Sequence, residues 1–214
     1  MPVRETRIIM VGERPEESLP QGEIAEALLG GAVAAYPTET FYALGAAAFS
    51  KRGVERIYRL KGRDASKPLS VIASDLDMVA EIVAPLPAAF AALAAEFWPG
   101  PLTLVLPAAA ALPDFLVGPG RTIAVRIPPL AWLRALVAEL AEPLTATSAN
   151  LAGEKELADP ADVAALVTGK IEWLLDGGRT PGGLPSTIVD ITGESPRILR
   201  EGAIPTASIR ALLG

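Results

Sequence analysis

The chain has 214 residues, half of them hydrophobic, and a formal net charge of −6. This length suits one domain with a sizeable core, so we expect residues 1–214 to form a single domain. The chain contains no Cys and no His, which excludes a disulfide framework, a Cys or His zinc site, and a Ser–His or Cys–His catalytic pair. Proton transfer would have to use carboxylates, Lys, Tyr or the substrate itself.

Apolar runs and helical periods alternate along the chain. Strands are predicted over residues 7–11, 32–36, 68–73, 102–106, 122–127, 144–147 and 171–175, and a hairpin over 186–191 and 197–200. Helices are predicted over residues 21–29, 50–62, 74–83, 87–97 and 130–140, from 159 onward, and over 206–213. This alternation predicts an α/β fold of three layers, with a mixed sheet of about seven strands between helices.

Basic residues are concentrated in one segment of this acidic chain, residues 51–67, which we call the basic segment. Its cations are Lys51, Arg52, Arg56, Arg59, Lys61, Arg63 and Lys67. A net negative charge argues against dominant non-specific affinity for nucleic acid, which draws on many phosphate-neutralising cations. The segment therefore indicates a compact anion site.

Polar and basic turns follow neighbouring elements in the region 31–73. The turn Thr38-Glu39-Thr40 follows a predicted strand, and Lys61-Gly62-Arg63 ends a predicted helix just before Lys67. The chain lacks both a Walker loop and a G-x-G-x-x-G fingerprint. Any nucleotide would therefore be held by side chains and less regular loops. A guanidinium can bind phosphate oxygens bidentately, and an ammonium acts as a point charge.

Spacing alone leaves other roles open for these residues. Lys61 could complement a helix C-terminus, Arg63 and Lys67 could pair with Asp64 at the surface, and residues 38–40 could be an ordinary turn. Arg126 ends an apolar strand and must reach solvent, an acid or a ligand, because an unpaired buried charge is costly.

A further polar group follows the predicted strand at 144–147. Ser148-Ala149-Asn150 lies at the strand end, where α/β sheets usually place ligands. A simple Asx or Ser/Thr turn remains the alternative.

Together, four ordered motifs resemble those of the YrdC-like family of threonylcarbamoyl-AMP synthases. They are Pro37-Thr38-Glu39-Thr40, Lys61-Gly62-Arg63, Lys67-Pro68-Leu69 and Ser148-Ala149-Asn150. The resemblance spans residues 20–205 and implies the family's twisted mixed sheet flanked by helices. It also implies a nucleotidyltransferase that makes threonylcarbamoyl-AMP and pyrophosphate from L-threonine, bicarbonate and ATP, with magnesium. The product would serve tRNA threonylcarbamoyladenosine modification by separate downstream proteins, and direct contact with tRNA or double-stranded RNA stays open.

The resemblance also implies roles for individual residues. Lys61 and Arg63 would be catalytic, and no residue is assigned to a metal. ATP would contact Arg63, Lys67, Thr122, Ser148, Asn150 and Arg200. L-Threonine would contact Thr40, Arg126, Ala146 and Ser186.

Three positions depart from the family pattern. Ala43 replaces a usual glycine, Thr147 stands where proline is common, and Glu156 stands where relatives often carry Ser or Thr near ATP. Longer relatives add a C-terminal domain, and we expect this chain to be the single-domain form.

Two other functions are alternatives to this one. The chain could be an RNA-binding module that contacts structured RNA through the basic segment, although few aromatic residues are available for base stacking. A carbamoyl-transfer domain of hydrogenase maturation proteins would come with Cys-rich zinc motifs, and this chain has no Cys.

No membrane contact is expected. No apolar stretch reaches the ~18 residues of a transmembrane span, and the first 17 residues lack the long apolar core of a signal peptide. We therefore expect a soluble cytoplasmic protein.

Overall fold

A computed structural model describes residues 5–12, 14–15, 19–64 and 67–214 of the chain. The strands in these residues are β1 (Arg7–Met10), β2 (Ala34–Pro37), β3 (Tyr42–Gly45), β4 (Ser70–Ile72), β5 (Leu102–Pro107), β6 (Thr122–Arg126), β7 (Leu144–Ser148), β8 (Trp173–Asp176), β9 (Thr187–Asp190) and β10 (Arg197–Arg200). The helices are α1 (Gln21–Leu29), α2 (Lys51–Lys61), α3 (Leu76–Ile82), α4 (Phe90–Phe97), α5 (Ala131–Leu140), α6 (Pro160–Val167) and α7 (Thr206–Leu213).

All of these strands join one mixed sheet, in the order β1-β8-β2-β3-β7-β4-β6-β5-β9-β10. Strands β1 and β2 both run parallel to β8, whereas β3 runs antiparallel to its two neighbours, β2 and β7. The predicted α/β class with a mixed sheet is confirmed. The sheet has ten strands in the described residues, however, rather than about seven.

Strand β3 has no counterpart among the predicted elements. Its sequence, Tyr-Ala-Leu-Gly, is half Ala and Gly, which have low β-propensity. All four residues are nevertheless buried, because β3 forms a hairpin with β2 and then pairs with β7. Tertiary pairing thus outweighs the weak local preference.

Side chains alternate between two separate cores on the two faces of β2, β3 and β8. On β8, Trp173 and Leu175 join one core, which also receives α1, α3, α4, α5 and α7. Leu174 joins the other core, which receives α2 and α6. Because successive strand residues point to opposite faces, this half of the sheet is covered on both sides, in three layers.

The other half of the sheet is covered by helices on one face only. On β5, Leu102, Leu104 and Leu106 enter the first core, whereas Thr103 and Val105 between them line a cavity. On β6, Val125 is in the core, and its neighbours Ala124 and Arg126 line the same cavity. The uncovered face of β5 and β6 is therefore the floor of a binding site.

The helix ends follow local sequence signals. Gly62 ends α2 in the left-handed conformation, with φ of 59°, and the Asp159 side chain caps α6 by accepting from the Ala161 amide. These ends agree with the predicted helix end at residue 62 and the predicted helix start at residue 159. Helix α3 was predicted to start at residue 74, but its cap is Asp75, which accepts from the Met78 amide, and Ser74 Oγ donates to the Asp75 carboxylate.

Within the described residues, no helix is both long enough and apolar enough to cross a membrane.

We predict that Gly45→Ala destabilises the fold by about 1–3 kcal/mol, because it overpacks a tightly filled part of the sheet. A Cβ at Gly45 would lie 2.4 Å from the Thr145 carbonyl oxygen and 2.7 Å from the Tyr36 ring. Urea denaturation would measure the free energy of unfolding. Gly193→Ala is the matched control, since its Cβ would meet nothing within 4 Å; equal stability of the two variants would contradict the prediction.

Candidate active site

A cavity of about 310 Å³ lies over the uncovered sheet face. Besides β5 and β6, its walls include the β2–β3 turn, the turn after α2, the end of β7 and strand β10. These elements come from distant parts of the sequence, and only the sheet order brings them together.

Most of the predicted site residues line this cavity. They are Thr40, Arg63, Arg126, Ala146, Ser148, Ser186 and Arg200. Three further predicted residues, Lys61, Lys67 and Asn150, line an adjoining pocket of about 220 Å³. Arg63 and Ser148 line both spaces, so the two lie side by side.

Thr122 is not brought to the main cavity. It lines a groove of about 580 Å³, and its hydroxyl donates to the Pro119 carbonyl at 3.2 Å. This groove shares four lining residues with the main cavity, namely Pro68, Val105, Ala124 and Leu199.

The β2–β3 turn is built around the Thr38 side chain. Its Oγ1 donates to the Phe41 carbonyl at 2.7 Å and accepts from the Thr40 amide at 3.2 Å. The Thr40 carbonyl accepts from the Gly182 amide at 2.8 Å, which ties the turn to the 176–185 loop. The turn interpretation of residues 38–40 is thus correct, and this turn also presents Thr40 to the cavity.

Arg126 forms a buried ion pair with Glu39 of the same turn. Its Nη1 donates to Glu39 Oε1 at 2.6 Å, and the two side chains are only 8% and 15% exposed. The sequence left solvent, an acid or a ligand open as partners for Arg126. The structure shows an acid, and Arg126 still reaches the cavity.

Tyr36 lies close to this pair. Burial raises the pKa of the Tyr36 phenol, the positive charge of Arg126 lowers it, and the negative charge of Glu39 raises it. The phenol donates to the Thr145 carbonyl at 2.8 Å. Tyr36 therefore remains neutral, and its ring is buried in the first core rather than in the cavity lining.

Lys61 is buried, with 4% of its surface exposed. Its ammonium donates to the Ser148 carbonyl, to the Asn150 carbonyl at 2.7 Å and to Asn150 Oδ1 at 2.8 Å. An ammonium has three donors, so these three acceptors use all of them. Lys61 thus holds the end of β7 against α2, a role that the helix-dipole alternative did not include.

The Ser148–Asn150 turn is further tied by its own side chains. Ser148 Oγ donates to Asn150 Oδ1 at 2.6 Å, and Asn150 Nδ2 donates to the Glu154 carbonyl at 2.7 Å. The turn alternative is therefore correct locally. Ser148 also lines both spaces. The hydrogen bond to Asn150 therefore fixes the position of the Ser148 hydroxyl at this site.

Arg63 is held by backbone carbonyls. Its Nε donates to the Lys67 carbonyl at 3.2 Å and its Nη2 to the Pro68 carbonyl at 3.0 Å. These bonds hold the guanidinium against the carbonyls of Lys67 and Pro68, and Arg63 lines both spaces.

Thr103 belongs to the site and was missed in the sequence. It is 3% exposed, lines the cavity and lies 2.9 Å from Ser186 Oγ, which is 3.2 Å from Arg200 Nη2. The signal was its position between Leu102 and Leu104, since period-2 alternation puts a polar residue there on the face opposite the core.

The charges lining the cavity are mainly positive. Among the described residues, the lining contains three guanidinium groups and one carboxylate, from Arg63, Arg126, Arg200 and Glu156. The described residues contain no group of three or more Asp or Glu side chains that could hold a metal ion. The cavity therefore suits an anionic ligand recognised by guanidinium groups and hydroxyls.

The basic segment is not one open cationic surface. Arg56 donates to Glu172 at 2.8 Å and to the carbonyls of Gly31 and Lys170, and Lys61 is buried. These contacts remove two of its cations from an extended phosphate track, so nothing here favours the RNA-binding alternative.

The fold and site define a mixed α/β protein with a guanidinium- and hydroxyl-lined cavity for small anionic molecules. The family model for Sua5, YciO and YrdC proteins, described as "Telomere recombination", matches residues 26–202. The chain belongs to this family, which confirms the resemblance seen in its motifs.

Named relatives and a solved structure agree with this assignment. A threonylcarbamoyl-AMP synthase of Pyrococcus abyssi (strain GE5 / Orsay) is 38% identical over 98% of this chain and 61% of its own length. One of Chromobacterium violaceum is 37% identical over 88% of this chain and 98% of its own length. A crystal structure of P. abyssi Sua5 complexed with L-threonine matches with a TM-score of 0.92 and 38% identity, over 98% of this chain and 61% of that one. The chain thus spans about three fifths of the Pyrococcus relative.

We predict that the Lys61 ammonium loses its proton near pH 8. Burial, followed by the nearby Arg63 charge, lowers the pKa of Lys61 to about 8 from 10.5, while Glu156 acts in the opposite sense. Between pH 8 and 10.5 the unfolded chain binds this proton more tightly, so the Lys61 contribution to the free energy of unfolding rises with pH, by about 1–3 kcal/mol.

Urea denaturation of the wild type and Lys61→Met across pH 7–10.5 would measure this contribution as the difference between two pH profiles. The wild-type profile should rise relative to that of the variant above pH 8. Parallel profiles would mean that Lys61 keeps an ordinary pKa.

Proposed function

We propose that the chain catalyses formation of threonylcarbamoyl-AMP and pyrophosphate from L-threonine, bicarbonate and ATP. The observation that carries this proposal is the joint presence of Arg126 and Thr40 with Arg63 and Ser148 in one cavity. One pair suits an amino-acid carboxylate and the other suits phosphates. The names of the relatives, and the L-threonine bound by P. abyssi Sua5, support the same reaction.

In this proposal the amino acid binds at the β2–β3 side of the cavity. The Arg126 guanidinium would receive the carboxylate, and Thr40, Ala146 and Ser186 would surround the rest of L-threonine. Their common position around one cavity supports this arrangement.

ATP would bind toward the adjoining pocket. Arg63 and Lys67 would contact phosphate oxygens, Ser148 and Asn150 would bound the nucleotide at the end of β7, and Arg200 would close the opposite side. Thr122 would take part only if the nucleotide extends into the groove that adjoins the cavity.

The reaction consists of two bond-forming steps. The threonine amine and bicarbonate give a carbamate and water, and a carbamate oxygen then bonds to the α-phosphorus. The bond from that phosphorus to the bridging oxygen breaks, and pyrophosphate leaves with the electron pair. Catalysis of this kind needs positioning and charge stabilisation rather than a His base.

Arg63 and Lys61 would stabilise the developing phosphate charge in different ways. The guanidinium of Arg63 lines both spaces and can meet the leaving group directly. Lys61 already has three carbonyl acceptors, so it would act through its charge and through the turn that it holds.

Magnesium would arrive mainly with the nucleotide. Mg²⁺ is usually held by substrate phosphates and one or two carboxylates, and Glu156, with a carboxylate in the cavity, and Ser148, with a hydroxyl, fit that requirement. The ion would screen the triphosphate charge. Glu156 would then serve in place of the Ser or Thr common in relatives.

The wider setting is also part of the proposal. The described residues would act as one domain, because a single sheet runs from β1 to β10. Transfer of the product to tRNA by separate proteins, direct tRNA contact and a cytoplasmic location stay predictions from the sequence.

Pyrophosphate release from ATP should require both L-threonine and bicarbonate. A coupled pyrophosphate assay would compare the complete mixture with mixtures lacking each component, and mass spectrometry would identify the product. Glycine in place of L-threonine should give little release. Pyrophosphate release that is independent of the amino acid would contradict the proposal.

Arg63→Ala should abolish most synthesis while the protein still folds. The loss of two hydrogen bonds to carbonyls should cost about 1–3 kcal/mol of stability, whereas removal of a transition-state contact should lower kcat about 100-fold or more. Arg59→Ala is the matched control, because Arg59 is exposed on α2 and lines neither space. Full activity of Arg63→Ala would refute this role.

A further inference from the structure

The Glu39 side chain is linked to the candidate site by its ion pair with Arg126. Among the described residues, Arg126 lines the cavity and Glu39 does not, although its neighbours Thr38 and Thr40 do. The 2.6 Å bond from Arg126 Nη1 to Glu39 Oε1 therefore joins a cavity-lining residue to one outside the lining.

The β2–β3 turn fixes the backbone position of Glu39. The backbone on both sides of Glu39 is held by Thr38: its amide donates to the Phe41 carbonyl at 3.1 Å, and its Oγ1 accepts from the Thr40 amide. The loop at 176–185 holds the turn from outside, through the bond from the Gly182 amide to the Thr40 carbonyl. The backbone of Glu39 is thus held within the fold, and its carboxylate is held by Arg126.

The pair leaves bonding capacity unused on both partners. Glu39 Oε2 is buried and has no hydrogen-bond partner among the described residues. In the same residues, the guanidinium makes no other hydrogen bond than the one to Glu39. A guanidinium has five N–H donors in a fixed fork, so several donors remain for a ligand in the cavity.

A second, partly buried ion pair in the chain has a different set of hydrogen bonds. Arg56 bonds to Glu172 and to two carbonyls, and the second Glu172 oxygen accepts from the Val33 amide at 3.0 Å. Glu172 thus uses both oxygens within the fold, and this pair lines neither the cavity nor the adjoining pocket. It shows how a structural ion pair is satisfied in this protein.

We infer that Glu39 is a positioning residue for recognition of the amino-acid carboxylate. It holds one terminal nitrogen of Arg126, so that the remaining donors of the guanidinium face the cavity in a fixed orientation. The inference rests on the proposed function, because it takes an α-amino acid as the ligand of Arg126. Glu39 itself would touch neither substrate.

Steady-state kinetics of Glu39 variants can separate positioning from a general loss of structure. In Glu39→Ala the guanidinium loses its anchor, and KM for L-threonine should rise about 10- to 100-fold, the range expected for a misplaced binding group. KM for ATP should change by less than about twofold. Glu39→Gln keeps an acceptor oxygen for Nη1, so it should restore most of the affinity for L-threonine.

Two controls make the experiment specific. Glu172→Gln weakens the structural pair and should leave both KM values unchanged. In an Arg126→Ala background, Glu39→Ala should add no further rise in KM for L-threonine, because Glu39 acts through Arg126. Calorimetric titration of each variant with L-threonine should give the same ranking without turnover.

Each outcome decides the inference. Equal rises in both KM values, or an added effect of Glu39→Ala in the Arg126→Ala background, would overturn it. So would wild-type affinity for L-threonine in both Glu39→Ala and Glu39→Gln.

If Glu39→Ala does not fold, Glu39→Asp, with a side chain one methylene shorter, replaces it and should raise KM for L-threonine selectively. If the wild type binds L-threonine but releases no pyrophosphate, the proposed reaction fails and the positioning role is still tested by calorimetry.

Discussion

Residues of a strand point alternately to the two faces of a sheet, and in β5 and β6 only one of those faces is covered by helices. Leu104 and Val125 fill a core while Thr103 and Arg126 reach a cavity. The helices α2 and α6 pack on the other half of the sheet, over strands such as β3 and β8. The active site is thus the part of the sheet face that the second helix layer leaves open.

An open face of this kind must give each buried charged group at least one partner, because a buried charge without a partner is costly. The protein does this with hydrogen bonds from each cation to nearby oxygen atoms. Arg63 bonds to two carbonyls of its own turn, Lys61 bonds to three acceptors at the end of β7, and Arg126 bonds to Glu39. The cations are fixed before a ligand binds, so binding costs little reorganisation.

These hydrogen bonds also give the cationic residues different roles. The three N–H donors of the Lys61 ammonium are used within the fold. Lys61 can therefore attract an anion beside Ser148 through its charge, but not through a direct hydrogen bond. Arg63 and Arg126 keep donors toward the cavity, at two different walls. Such a separation suits the binding of two anionic groups at different walls of the cavity.

The sequence by itself determined the α/β class, most of the helices and strands, and the motif residues that line the cavity, because hydrophobic periods and turn residues are local signals. It did not reveal β3, whose Ala and Gly residues form a strand only between β2 and β7. Nor did it reveal that Glu39 pairs with Arg126, that Thr103 joins Ser186, or that Thr122 lies outside the main cavity. Those contacts join residues far apart in the chain, so only the order of strands in the sheet decided them.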